Sequence, residues 1–283
     1  MPRWGWERRM TEPVLQADRL RKQFGQTVAV EELSFAMKPG SSLGIVGESG
    51  AGKTTVARMI LGLETPSSGT VTACGRDRSS PARSATERRE RGREVQIVFQ
   101  DPYSSLDPRE RVGQGLERLL KLHGIGEASQ RRDRAVALAR QVGLGDRQLQ
   151  ALPRALSGGQ RQRVAIARAL APQPRIVVLD EAVASLDVSI QAQVLNLLAE
   201  IRETTGVSYL FISHDLAVVR HLTDDVIVMH RGQVVERGPT PRILDEPEHE
   251  YTQRLRASIP GPGWSPHRRA REEPSDGYQH PRA

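Results

Sequence analysis

Short apolar runs, separated by turn-forming glycines and prolines, recur along most of the chain. Several alternate apolar and polar positions, as strands with one buried face do, whereas 176–179 is continuously apolar, which is typical of a parallel strand covered on both faces. Strands are predicted at 14–20, 28–30, 33–37, 43–46, 69–73, 94–99, 176–180 and 208–212, with a hairpin that joins 226–229 to 233–236. We expect the first three strands to form an antiparallel β layer that covers the core of the fold.

Helical spacing of apolar positions alternates with these strands, which predicts the α/β class. Helices are predicted at 55–61, 112–122, 131–142, 158–171 and 189–202. Residues 101–155 begin with turn signals and then become helical, so we interpret them as an inserted helical subdomain with its own small core. Residues 75–93 are polar and rich in Arg, which predicts a solvated loop and a short helix.

The strand predicted at 43–46 runs into a glycine-rich loop, and a helix follows the loop. The loop consists of Gly47, Glu48, Ser49, Gly50, Ala51, Gly52, Lys53 and Thr54, which matches G-x-x-x-x-G-K-[ST]. Glycines let the backbone curl so that its N–H groups point at an anion, and the helix N-terminus adds further donors. The flanking strand and helix favour phosphate binding over the alternative, a glycine-rich turn that binds nothing. The loop predicts a P-loop NTPase fold in which Lys53 contacts the β- and γ-phosphates and Thr54 contacts Mg²⁺.

The composition narrows the partners only slightly. The chain has 41 Lys+Arg against 34 Asp+Glu, which gives a net charge of +7. This charge is compatible with binding to nucleic acid or to an anionic membrane surface, but a general preference for Arg explains it equally well. The single cysteine, Cys74, excludes an intramolecular disulfide and a cysteine-held cluster. No apolar run is long enough to cross a bilayer, and residues 1–9 lack the apolar segment of a secretory signal. We therefore expect a cytoplasmic protein, with a flexible leader at 1–13, a nucleotide-binding domain at 14–259 and a disordered tail at 260–283.

Asp180 and Glu181 follow the most apolar predicted strand. Ligands of α/β sheets bind beyond the carboxyl ends of the strands, so both carboxylates are expected near the phosphate loop. Asp180 is then a candidate ligand of Mg²⁺ and Glu181 a candidate general base. A purely structural carboxylate pair remains the alternative.

Ser157, Gly158, Gly159 and Gln160 open a predicted helix. Ser157 is a plausible N-cap, but a cap alone does not explain two glycines, each of which weakens a helix by up to about 1 kcal/mol relative to Ala. We therefore expect another group to approach this backbone closely, as at an anion site on a helix N-terminus.

Taken in order, these motifs resemble the ATPase subunit of an ABC transporter over residues 14–259. The motifs are 47–55, Gln100, 156–160, 180–181, 185–187 and His214. Residues 99–109, 180–183, 187–193 and 250–255 are similar to the oligopeptide/dipeptide/nickel importer subgroup. The resemblance implies an ABC-type nucleotide-binding domain that binds ATP and Mg²⁺.

The resemblance also implies roles for individual residues. Phe24 would stack on adenine; the alternative is that Phe24 is a core residue at the end of a strand. Gln100 would contact the metal or the attacking water. His214 would touch the γ-phosphate, although a structural histidine is the simpler interpretation of a lone His after a buried strand. Asp187 would bridge two sites, and Ser157–Gln160 would act on ATP held by a second subunit. Catalytic residues are implied at Glu181, His214, Gln100 and Lys53, metal ligands at Thr54, Gln100 and Asp180, and ATP contacts at Phe24, 47–55, 157–160 and Asp187.

Three features depart from the family pattern. Ala184 and Ser185 invert the usual Ser-Ala order, and Glu250 stands where Pro is usual between His and Tyr. Cys74 alone cannot form the iron–sulfur site that some relatives carry.

The leading hypothesis is the energy-coupling subunit of an importer of oligopeptides, dipeptides or similar small solutes. Its implied partners are a second ATPase subunit, identical or not, a membrane permease and, indirectly, an extracytoplasmic solute-binding protein, and its expected location is the cytoplasmic face of the membrane. Two alternatives stay open: an ATPase subunit of a non-transport complex such as phosphonate carbon–phosphorus lyase, and a soluble ABC ATPase that acts on nucleic acid or the ribosome.

Overall fold

The structure is a computed structural model and describes residues 12–257. The predicted disordered tail and all but the last two residues of the predicted leader lie outside the described residues. Ten strands are present in this part of the chain: β1 Leu15–Phe24, β2 Thr27–Met37, β3 Ser42–Val46, β4 Ser68–Ala73, β5 Arg76–Asp77, β6 Val95–Val98, β7 Ile176–Asp180, β8 Ser208–Ser213, β9 Asp225–His230 and β10 Gln233–Pro239. They are ordered β5-β4-β1-β2-β10-β9-β3-β8-β7-β6.

Ten α-helices pack around the strands in the described range. They are α1 Lys53–Ile60, α2 Ala85–Glu94, α3 Val112–Leu122, α4 Arg131–Gln141, α5 Asp146–Gln150, α6 Gly158–Leu170, α7 Val188–Thr205, α8 Leu216–Leu222, α9 Thr240–Asp245 and α10 Glu250–Ala257. Within residues 12–257, none of these helices combines the length and the apolar character that a bilayer crossing requires.

The centre of the sheet is parallel, as predicted. Strands β6, β7, β8, β3 and β9 pair in parallel, and every residue of β3, β7 and β8 is buried. Burial on both faces explains why β3, β7 and β8 have the polar residues Ser42, Asp180, Ser208 and Ser213 only at their ends. Since they run in one direction, their carboxyl ends meet at one edge of the sheet, where Val46, Asp180 and Ser213 lie.

The antiparallel layer is also present, but it is joined to the central sheet. Strand β1 pairs with β2 and β4, and β2 meets β10 at the pair Glu32–Gln233. The prediction of separate strands at 28–30 and 33–37 was wrong, because β2 runs without a break through Glu31 and Glu32. The two glutamates interrupt the apolar pattern but not the backbone, since the Glu31 N–H donates to the carbonyl of Gly232 (2.8 Å).

The helices predicted for the inserted segment are present, but the segment does not have a separate core. The apolar residues of α3 and α4 share one buried cluster with α6, α7 and β7, which includes Leu116, Ala139, Val164, Leu179 and Val194. The insertion is therefore packed on the central sheet through α6, the helix that carries Ser157 at its start.

The Arg-rich stretch contains the expected short helix α2, but it is not wholly solvated. Arg78 is 1% exposed, donates to the carbonyl of Arg91 and pairs with Glu94 (2.8 Å). Arg91 is also buried and pairs with Glu87 (2.6 Å). Arg78, whose N–H also donates to the carbonyl of Val71 in β4 (2.7 Å), thus links α2 to the sheet, whereas the Arg91–Glu87 pair lies within α2.

Candidate functional site

The glycine-rich loop connects the end of β3 to the start of α1, and its glycines are required by close backbone contacts. Gly47, Gly50 and Gly52 have φ values of 152°, 81° and 99°, which side chains rarely allow. A Cβ at Gly47 would lie 2.1 Å from the carbonyl oxygen of Met229, and one at Gly52 would lie 2.2 Å from that of Ala29. The loop is therefore clamped between β9 and β2, and only glycine fits at both points.

Lys53 lies inside the curl of this loop. Its side chain is buried, and Nζ donates to the carbonyl oxygens of Gly47 (2.8 Å) and Glu48 (2.9 Å). Burial lowers the pKa of Lys53, while the negative charges of Glu181 and Asp180 oppose that shift. A buried ammonium with only carbonyl partners is suited to exchange those partners for phosphate oxygens.

The other loop residues offer exposed backbone. Glu48, Ser49, Gly50 and Thr54 are exposed, and Thr55 is half-buried. Ala51 is buried, and its carbonyl accepts a hydrogen bond from the N–H of Gly232 (3.2 Å). The four exposed residues of the loop are thus accessible to solvent, while its floor is packed against the hairpin of β9 and β10.

Asp180 ends β7 beside the loop and has the properties expected of a cation ligand. The residue is 9% exposed, and its Oδ1 has no hydrogen-bond partner among the described residues. Burial and the neighbouring Glu181 raise the pKa of the Asp180 carboxyl, against the effects of Lys53, Arg58 and a hydrogen bond with Thr54. A buried carboxylate oxygen without a partner is costly, so the residues present fit a divalent cation at this position.

Glu181 directly follows β7 and has a left-handed backbone conformation. Its φ is 49°, a conformation that costs a non-glycine residue free energy and that is frequent at functional sites. Its N–H donates to the carbonyl of Ile212 (2.9 Å), and its Oε1 lies 3.2 Å from Nδ1 of His214. Two residues 33 positions apart are thus brought together at the ends of the neighbouring strands β7 and β8.

Gln100 follows β6, and one contact joins it to the segment after Glu181. The Ser185 hydroxyl donates to the Gln100 carbonyl (3.4 Å). Asp187 occupies the N-cap position of α7, yet its side chain makes no capping hydrogen bond and is exposed. This carboxylate is therefore free of a role in starting its own helix.

The start of α6 bears out the capping prediction and corrects the interpretation of one glycine. Ser157 Oγ accepts from the N–H of Gln160 (3.3 Å), and the N–H of Ser157 donates to Gln160 Oε1 (3.1 Å). A Cβ at Gly159 would lie 2.6 Å from Cγ2 of Ile190, so α7 of the same chain explains this glycine. A Cβ at Gly158 would meet nothing within 4 Å. Only Gly158 is left open to an approach from outside.

Phe24 ends β1 and is 48% exposed, which contradicts the alternative that it is a core residue. The Nζ atom of Lys22 lies 4.7 Å from the centre of the Phe24 ring, and Lys22 also pairs with Glu64 (2.5 Å). The ring is thus held by a cation and remains accessible to a ligand.

The structure brings Lys53, Thr54, Asp180, Glu181 and His214 to one edge of the sheet, as predicted. Among residues 12–257, no hydrogen bond links Ser157–Gln160 to the phosphate loop. Sequence reasoning gave no role to Tyr251, although its hydroxyl accepts a hydrogen bond from the N–H of Glu48 (2.9 Å). The only available signal was its place in the run 250–255, which resembles one subgroup of the family.

Comparison with known proteins defines the class. The profile described as ABC transporter matches residues 30–184, which is more than half of the 283-residue chain. The chain belongs to the ABC transporter family.

Two relatives of this chain are ATP-binding proteins of peptide transport systems. The chain is 46% identical over 243 residues to the oligopeptide transport ATP-binding protein OppD of Mycobacterium bovis, with 86% of this chain covered. It is 43% identical over 241 residues to the di/tripeptide transport ATP-binding protein DppF of Pseudomonas aeruginosa, with 85% of this chain covered. The chain spans 39% of the length of OppD and 74% of DppF.

Among solved structures, the chain is similar to the ATP-binding cassette MJ0796, a dimer in a post-hydrolysis state bound to ADP and Pi. The TM-score is 0.70 at 28% identity, and the match covers 80% of this chain and 98% of that one. The predicted ABC-type P-loop fold is thereby confirmed.

Proposed function

We propose that this chain binds ATP with Mg²⁺ and hydrolyses ATP to drive an importer of oligopeptides, dipeptides or similar small solutes. The observation that carries the proposal is the convergence of a phosphate loop, an unpartnered buried carboxylate oxygen and a Glu–His pair at one sheet edge. The names of OppD and DppF, an oligopeptide and a di/tripeptide transport ATP-binding protein, support the choice of substrate class.

In the proposed site, the loop from Gly47 to Thr55 binds the phosphates and Phe24 stacks on adenine. Lys53 leaves its carbonyl partners and pairs with phosphate oxygens. Asp180, Thr54 and Gln100 hold Mg²⁺, which neutralises charge on the phosphate oxygens when it is bound.

Glu181 acts as the general base in this proposal. Its Oε1 accepts a proton from the attacking water, and His214, 3.2 Å from the same oxygen, orients the carboxylate and contacts the γ-phosphate. The positive φ of Glu181 lies at the residue that directly follows β7 and the proposed cation ligand Asp180.

The complete site requires a second subunit. Ser157 and Gly158 are exposed, and the space over Gly158 is open, so this helix start is accessible to ATP held by a partner's loop. Asp187, exposed and not engaged in capping, bridges the two sites. Two subunits in a head-to-tail arrangement thus enclose two ATP molecules.

The proposed location follows from the proposed partners. The chain lies at the cytoplasmic face of the membrane and docks on a permease through residues 101–155 and the Gln100 region. A solute-binding protein on the opposite side delivers the solute to the permease.

The variant Glu181→Gln tests the hydrolytic part of this proposal. It removes the base and keeps the cation ligand, so ATP affinity is retained while hydrolysis falls by about 100- to 10,000-fold and an ATP-bound dimer accumulates. Steady-state ATPase assays and analytical ultracentrifugation with MgATP measure the two effects. Glu203→Gln, an exposed position on α7, is the matched control and keeps wild-type turnover. Unchanged hydrolysis in Glu181→Gln would defeat the assignment.

A further inference from the structure

Tyr251, on α10, contacts the phosphate loop from 203 positions away in the sequence. Its hydroxyl oxygen accepts a hydrogen bond from the N–H of Glu48 at 2.9 Å, and the residue is 3% exposed. The Tyr251 side chain is buried whereas Glu48 is exposed, so this contact is partly buried and restrains the loop from its inner side.

The restrained group is a single peptide unit. The carbonyl oxygen of Gly47 accepts from Lys53 Nζ (2.8 Å), and the N–H of the same peptide, on Glu48, donates to Tyr251. When Lys53 turns to a phosphate, the carbonyl end of this peptide loses its partner. The Tyr251 hydroxyl is then the side-chain contact that still keeps this peptide from rotating.

Tyr251 is itself held rigidly. Its ring stacks on the imidazole of His230 at the end of β9, with centroids 4.0 Å apart and planes at 24°. Glu236 of β10 accepts the N–H groups of Glu248 (2.9 Å) and His249 (3.2 Å), and His249 Nδ1 accepts the N–H of Tyr251 (3.1 Å). The start of α10 is thus fixed to the hairpin that also supports Ala51.

We infer that Tyr251 is a positioning residue for nucleotide binding: it fixes the Gly47–Glu48 peptide so that the loop keeps its binding conformation while Lys53 changes partners. The inference rests on the proposed function for its nucleotide readout, whereas the contact itself is measurable without nucleotide.

Tyr251→Phe keeps the ring and its stacking on His230 but removes the acceptor. Tyr209→Phe is the matched control, because the Tyr209 hydroxyl is also buried and donates to a carbonyl, that of Leu198 (3.0 Å), away from the loop. Hydrogen exchange of the Glu48 amide in the nucleotide-free protein, followed by NMR or mass spectrometry, reports on the contact. Because Tyr251→Phe loses one hydrogen bond, we expect the Glu48 amide to exchange about 2- to 10-fold faster in this variant. In Tyr209→Phe we expect no change in the exchange of the Glu48 amide.

Calorimetric titration with MgATP supplies the functional readout. We expect the Kd of Tyr251→Phe to rise by about 2- to 10-fold and that of Tyr209→Phe to match the wild type. Unchanged exchange at Glu48, or faster exchange with an unchanged Kd, overturns the inference. A wild-type protein that does not bind MgATP refutes the proposed function instead, and the exchange rates then still decide whether Tyr251 restrains the loop.

Discussion

The phosphate loop and the start of α6 are both glycine-containing helix N-termini, and both are proposed nucleotide contacts, but they are stabilised in opposite ways. The loop is held by several contacts within the chain, which include those of the Met229 and Ala29 carbonyls with two glycines and those of Lys53 inside the curl. The start of α6 is capped by its own Ser157 and is otherwise open over Gly158. The contrast supports the proposal that the first site is preorganised within one subunit and that the second acts only on ATP held by a partner.

Ser157→Arg tests this contrast with the largest expected effect, a loss of ATP turnover without a loss of nucleotide affinity. The long cation fills the space over Gly158 and keeps the partner's γ-phosphate away, so turnover falls by at least about 100-fold while nucleotide affinity of the monomer stays within about twofold. ATPase assays and titration of the monomer with nucleotide measure the two quantities.

Ser84→Arg is the control for the lost cap. Ser84 Oγ accepts the N–H of Glu87 (3.0 Å) at the start of α2, so the variant loses an equivalent cap, worth about 1 kcal/mol. We expect it to keep wild-type turnover. Full activity in a folded Ser157→Arg protein would exclude a role for α6 in trans.

Asp180→Asn separates the cation site from the stability of the fold. The raised pKa of Asp180 means that burial penalises its ionised form. This penalty is absent below the unfolded pKa, grows as pH rises from the ordinary value of 3.8 toward the raised one, and is complete above it. The amide removes the penalty, so at neutral pH the nucleotide-free variant should unfold at the same temperature as the wild type or a higher one.

The same variant loses the proposed cation ligand. We expect thermal unfolding to show no additional stabilisation when Mg²⁺ is added to ATP, whereas the wild type shows one. Asp18→Asn, at an exposed position of β1, is the control and keeps the Mg²⁺ effect. A persistent Mg²⁺ effect in Asp180→Asn would place the cation elsewhere.

Alanine variants of the two glycines of α6 have the smallest expected effects, and they distinguish the glycine packed against α7 from the glycine that is open to solvent. Gly159→Ala puts a Cβ 2.6 Å from Cγ2 of Ile190 and should lower the free energy of unfolding by about 1–3 kcal/mol. The double variant with Ile190→Ala removes the clash and should recover part of the loss. Gly158→Ala meets no atom, so its stability should equal or exceed that of the wild type.

Turnover then tests whether Gly158 faces a partner. If the backbone at 158 is approached by ATP on a second subunit, Gly158→Ala lowers the ATPase rate despite its intact stability. Denaturant unfolding together with ATPase assays gives both values. Loss of stability in Gly158→Ala, or none in Gly159→Ala, would contradict the packing described for α6.

Local patterns predicted where most residues of the candidate site lie. The loop from 47 to 54 is recognisable because a strand, the glycines and a helix follow one another in the sequence, and Asp180 is recognisable because an apolar strand precedes it. Contacts between distant segments could not be predicted in this way. Ile190 against Gly159 and Tyr251 on Glu48 depend on how α7 and α10 pack, and nothing in the neighbouring residues encodes that packing.

The fold shows the same limit. The charged residues at 31 and 32 concealed the continuity of β2. The Glu31 N–H within this stretch donates to the carbonyl of Gly232, a residue about 200 positions later that the local sequence could not reveal. The apolar faces of the inserted helices were visible, but the surface that they cover was not, and it proved to be continuous with the core around β7.

The most direct test of the two-subunit site is complementation between inactive variants. Lys53→Ala disables the loop and leaves α6 intact, whereas Ser157→Arg does the reverse, so a mixed dimer contains one site built from an intact loop and an intact α6. The steady-state ATPase rate of the mixture is the measurement, and each variant alone is the reference. Our account predicts that the mixture regains substantial activity; a mixture as inactive as its components would contradict it.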